Sequence, residues 1–144
     1  MAYSNDPICA QSVHTAQKTL TAAKSTLSGV TNATSIFQAP ASEGVLITRV
    51  WARPLATVAT ALRADLYISP DASAATLVDC ERITVTGTID ATTDIAEVQF
   101  DKWSEEDPLY LGPGEYLYAG LSAAFASGVV IACQYQQLTA ATVA

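Results

Sequence analysis

The chain has 144 residues, with fourteen Asp and Glu against seven Lys and Arg, for a net charge of −7. So few basic residues exclude a phosphate-gripping nucleic-acid surface and disfavour an anionic membrane. Like-charge repulsion instead suits a protein held at high concentration. One histidine and three scattered cysteines give no ligand spacing for zinc, and neither a P-loop nor a GxGxxG is present.

The first segment, Met1 to Asp6, lacks a basic and an apolar stretch of signal-peptide kind, and no run approaches the roughly 20 apolar residues of a membrane helix. Residues 10–35 are rich in Ala, Ser, Thr and Gln, with large apolar side chains only at Val13, Leu20, Leu27 and Val30. Ala, Gln and Lys favour a helix there, whereas the density of Thr and Gly29 oppose one. The composition predicts an N-terminal arm or edge-strand segment over 1–30, ordered against a neighbouring subunit, and a β-sandwich domain over 31–144.

From Ile36 onward the pattern is that of strands. Glu43 to Arg53 is rich in β-branched residues and stops at Pro54, which has no N–H to give a ladder. In Ala61 to Ser69, Leu62, Ala64, Leu66 and Ile68 share one face, and Arg63, Asp65, Tyr67 and Ser69 share the other. Ser69 to Ala72 reads as a turn. Cys80 to Thr86 supplies a further strand, Thr86-Gly87-Thr88 a turn, and Asp94 to Phe100 another alternating run with Ala96, Val98 and Phe100 inward. The acidic loop Ser104 to Asp107 precedes two apolar runs around Gly112-Pro113-Gly114, read as a β-hairpin over 108–121. Gly128 to Gln137 is the last strand. About eight short strands with turn signals roughly every ten residues predict an all-β antiparallel sandwich of jelly-roll type.

The chemistry-bearing residues are few. A catalytic site needs a nucleophile, a base or a metal within mutual reach, and the lone His14 lies in the polar N-terminal region. No catalytic, cofactor-binding or metal-binding residues are assigned, and the chain reads as a non-enzyme without a cofactor or small-molecule substrate. Asp101 with Glu105, Glu106 and Asp107 is either a loop able to offer oxygens to Ca²⁺ or a solvated, charged tip that blocks edge pairing. Trp51, Trp103 and exposed tyrosines offer aromatic faces to sugars, although Trp51 lies mid-strand in an apolar run, where a core or interface residue is expected. Cys9, Cys80 and Cys133 are expected to form no disulfide, with Cys80 and Cys133 buried in strands.

Three segments carry a resemblance: Val45 to Pro54, Thr60 to Ser69, and Pro108 to Tyr118. In that order they resemble the small jelly-roll virion proteins of tailed bacteriophages. There a long strand containing I-x-R-I/V is followed by an L-x-L-(F/Y)-I strand and a late P-L-x-L-x-x-G-(D/E)-x-L-x hairpin. The likeness covers about residues 34–136 and extends to capsid decoration, or cement, proteins. It implies a structural virion protein on the outer capsid, commonly a homotrimer, bracing neighbouring copies of the major capsid protein and made in the host cytoplasm. It implies no catalytic residues. The alternative it leaves open is a tail, neck or fibre component with a β-sandwich fold and a carbohydrate-binding role.

Overall fold

The computed structural model describes residues 13–24, 33–70, 78–87 and 97–138, without the side chains of 78–82 and 86–87. Nine strands form two antiparallel sheets packed face to face, with no helix among the described residues. The strands are β1 (Val13–Leu20), β2 (Thr34–Gln38), β3 (Val45–Pro54), β4 (Val58–Ser69), β5 (Val78–Gly87), β6 (Val98–Phe100), β7 (Leu109–Leu111), β8 (Tyr116–Leu121) and β9 (Val129–Gln137). The first sheet runs β1-β9-β3-β6, with β7 also on β3; the second runs β2-β8-β4-β5. Every connection except β4–β5 and β6–β7 passes from one sheet to the other.

Alternation builds the core. Val45, Ile47, Val50 and Ala52 of β3 face inward with Val129, Ile131 and Cys133 of β9. They meet Leu62, Ala64 and Leu66 of β4 and Leu117, Ala119 and Leu121 of β8. Phe100 and Leu111, on β6 and β7, join the same cluster. The expected inward set of β4 is the observed one. Of the set expected over 94–100, Phe100 is buried and Val98 half-buried. Ala96 lies outside the described residues, as does the turn expected beyond Pro70.

One expectation needs correction. The runs around Gly112-Pro113-Gly114 do not form a hairpin. β7 pairs with β3 in the first sheet, and β8 pairs with β2 and β4 in the second. The turn itself explains this. Gly114 has φ +78° and the Glu115 N–H donates to the Gly112 carbonyl at 3.1 Å, which with Pro113 at the second position makes a type II turn. Such a turn does not match the twist of paired strands and splays them. Glu115 ties it further, its carboxylate accepting from the Gly112 N–H at 3.0 Å.

Over 1–30, where an arm or an edge-strand segment is expected, the described residues hold an edge strand. Val13–Leu20 pairs along its whole length with β9 of its own domain, from Val13 opposite Gln136 to Leu20 opposite Val129. Apolar density is low there because an edge strand is held by its ladder, with only Leu20 buried and Ala16 half-buried. The chain then turns across the second sheet, where the Lys24 N–H donates to the Leu121 carbonyl at 2.7 Å. Residues 1–12 lie outside the described residues.

Candidate functional site

The two outward faces of the sandwich differ. On the second sheet, Asp65, Tyr67 and Ser69 of β4 point away from the core yet are buried, together with Tyr118 of β8. Ala33 and Tyr116 pack against the two tyrosines. The Lys24 ammonium lies 4.4 Å from the centre of the Tyr67 ring, a cation–π contact strengthened by exclusion of water. Gly120 is needed beneath this segment, since a Cβ there would meet the Lys24 side chain at 2.7 Å. The Asp65 carboxylate accepts from Arg63 Nε at 2.9 Å and from the Tyr67 hydroxyl at 3.1 Å. This face is a closed, internally bonded layer.

Among the described residues, the outward face of the first sheet is left open. Strict alternation places Arg49, Trp51 and Arg53 outward between inward Val50 and Ala52. Trp51 is therefore half-buried on the surface and outside the core cluster; of the core or interface place expected for it, the core is excluded. Register fixes what stands beside it. Across the sheet, Gln17, Ala132, Trp51 and Gln99 form one row, and Val130 pairs with Arg53 in the next. Ala132 is buried but lies outside the core cluster.

Arg49 anchors one side. Its guanidinium pairs with Glu97, hydrogen-bonds Gln99 at 3.2 Å, and stacks 4.5 Å from the Trp51 ring centre. Gln99 also donates to Glu97 at 3.2 Å. A depression of about 430 Å³ opens beside this cluster, lined by Gln17, Trp51, Arg53, Leu55, Glu97 and Val130. Arg53, one of the lining residues, has its Nε buried with no hydrogen-bond partner among the described residues. The sequence signal for this site was the alternation Arg49-Val50-Trp51-Ala52-Arg53 itself; Glu97 and Gln17 join only through strand register.

The other candidates are dispersed. His14 is exposed on β1 and stacks on Tyr135, ring centres 5.3 Å apart. Glu105, Glu106 and Asp107 are exposed in the loop that separates β6 from β7 along the edge of β3. That loop is closed by the Asp107 N–H donating to Ser104 Oγ at 3.2 Å. Among the described residues, no group of three or more His, Cys, Asp or Glu is placed to hold a metal ion. Trp103 packs against the core, with the Lys102 ammonium 5.7 Å from its ring centre. Cys133 is a free, fully buried thiol whose pKa is pushed up to about 12 by desolvation, partly opposed by a hydrogen bond with the Ala16 backbone. Cys9 and the side chain of Cys80 lie outside the described residues. No helix among the described residues is long and apolar enough to cross a membrane.

Compared with known proteins, the chain matches no family, no curated sequence and no solved structure.

Proposed function

We propose that this chain is a non-enzymatic structural protein of a tailed-phage particle, seated on the outer capsid as a decoration protein that braces neighbouring major capsid subunits. The observation that carries the reading is the strand order. We read β1-β9-β3-β6 over β2-β8-β4-β5, with chain crossings between sheets at nearly every step, as a jelly roll. The three segments that resemble small phage jelly-roll proteins fall on β3, on β4, and on β7 with β8. A bracing protein needs a stiff body, and the crossed connections tie both sheets into one core. It also needs surface with which to dock. Val13 and Tyr110 are large apolar residues left exposed, and their burial against a capsid or sibling subunits would stabilise a homotrimer on the particle.

The test is localisation on purified particles of the phage that encodes the chain. Electron-microscopic reconstruction is expected to place it on the outer capsid in groups of three. Particles lacking it are expected to assemble normally and to lose heat tolerance of the filled head. Density confined to the tail or neck, or normal heads with defective adsorption, would replace the decoration reading. Isolated single copies on the capsid would remove the trimer.

A further inference from the structure

We propose that the depression on the outer face of the first sheet binds one neutral pyranose unit of a polysaccharide. This goes beyond the capsid role and does not depend on it. The volume of about 430 Å³ falls within the range of about 300–1,000 Å³ usual for small-ligand pockets.

The lining matches a pyranose group by group. Trp51 supplies an aromatic platform for the C–H face of the ring, and Leu55 and Val130 continue the apolar surface beside it. The platform is fixed in advance. Arg49 stacks on the indole, and Arg49 is itself held by Glu97 and Gln99, so little side-chain freedom is lost on binding.

The polar groups set the class of ligand. Arg53 lines the depression, and its Nε–H has no partner among the described residues, so an acceptor that reached it would satisfy it. Glu97 offers acceptor oxygens only, and the Gln17 amide offers both a donor and an acceptor. A hydroxyl donates and accepts at once, so adjacent sugar hydroxyls satisfy this mixed set. An anion would meet the Glu97 carboxylate, and a cation would meet Arg53. The net charge of −7 further disfavours a nucleotide stacked on Trp51.

The test uses the full chain titrated with glucose, galactose, mannose, N-acetylglucosamine and their short linear oligomers. Binding is followed by NMR of backbone amides and the Trp indole N–H groups, with calorimetry for affinity. At least one neutral sugar is expected to shift the Trp51 indole and the Gln17 and Arg53 signals in a saturable manner. Oligomers are expected to bind at least as well as the single sugar. Trp51→Ala should weaken binding by about tenfold or more, and Glu97→Gln and Arg53→Lys should each weaken it, with thermal unfolding monitored to keep folding separate. Trp103→Phe should leave binding unchanged. Should Trp51→Ala fail to fold, Glu97→Gln and Arg53→Lys carry the test. No saturable shift with any neutral sugar would overturn the proposal. So would shifts that map elsewhere, binding confined to uronic or sialic acids, or full affinity in the Trp51, Arg53 and Glu97 variants.

Discussion

The outward residues of β4 and of β3 come from the same kind of sequence, a strand alternating apolar with polar or aromatic positions, yet they end in opposite environments. On β4, Asp65, Tyr67 and Ser69 are buried, and Lys24 of the chain that follows β1 lies over the Tyr67 ring. On β3, Arg49, Trp51 and Arg53 stay at the surface around a depression. A period of two fixes the side to which a residue points. What covers that side depends on contacts remote in sequence. The difference predicts that one face is structural and the other is free to bind.

The largest effect expected from this contrast is in truncation of the aromatic residue on each face. Tyr67 is almost fully buried, so Tyr67→Ala should cost about 3–5 kcal/mol, the range for large aromatic-to-Ala changes in a core. Trp51→Ala, on the open face, should cost about 1 kcal/mol or less. Urea unfolding of both variants measures the difference. Equal losses would show that Trp51 is as structural as Tyr67 and would weaken its assignment as a binding platform.

Alternation explains why so much of the fold was legible and why some was not. The inward residues of β4 and the strands at β3 and β9 follow from local patterning, because each lies where one face must be dry. The splayed turn at Gly112-Pro113-Gly114 was not legible as such: a Gly/Pro turn between two apolar runs has the same composition whether its strands pair or part. For Val13–Leu20 the composition left an arm and an edge strand both open. As an edge strand with little buried surface, it is specified by backbone hydrogen bonds to β9, which leave almost no mark on side-chain composition. Of the surface depression, only Trp51 and the arginines beside it were visible in one strand; Gln17 is 34 residues earlier and Glu97 46 residues later than Trp51, and only register joins them.

The two sides of β9 offer a second contrast, read through pH. Cys133 points into the core while Ala132 and Gln134 point out. Burial raises the Cys133 thiol from 9.0 to about 12. The folded state therefore holds this proton more tightly than the unfolded chain. Its contribution is fully present below about pH 9 and is lost as pH rises through about 12, with an upper bound of about 4 kcal/mol. Relative to the native chain, Cys133→Ala should be less stable at neutral pH and should lose less stability between about pH 9 and 12. Parallel stability curves over that interval would place the thiol in contact with water. In the native state at neutral pH, Cys133 should also resist thiol reagents until the protein unfolds.

The smallest expected effect separates the two ion pairs. Arg49–Glu97 lies on the open face with both side chains substantially exposed, 42% and 34%. Arg63–Asp65 has an exposed arginine but a carboxylate only 5% exposed, which also takes the Tyr67 hydroxyl at 3.1 Å. Screening acts on charges that water and ions can reach, and the Debye length shrinks from about 10 Å at 0.1 M salt to about 3 Å at 1 M. Glu97→Gln should therefore cost less than about 1 kcal/mol at low salt and almost nothing at 1 M. Asp65→Asn leaves buried donors imperfectly matched, a cost of about 1–3 kcal/mol. Salt can remove only the part of that cost owed to the exposed Arg63. The measurement is the stability difference between each variant and the native chain at both salt concentrations. If the Asp65→Asn difference vanished at 1 M as the Glu97→Gln difference should, ions would be reaching Asp65 beneath Lys24 and Tyr67. The second sheet would then be as open as the first, and the division into a structural face and a binding face would fail.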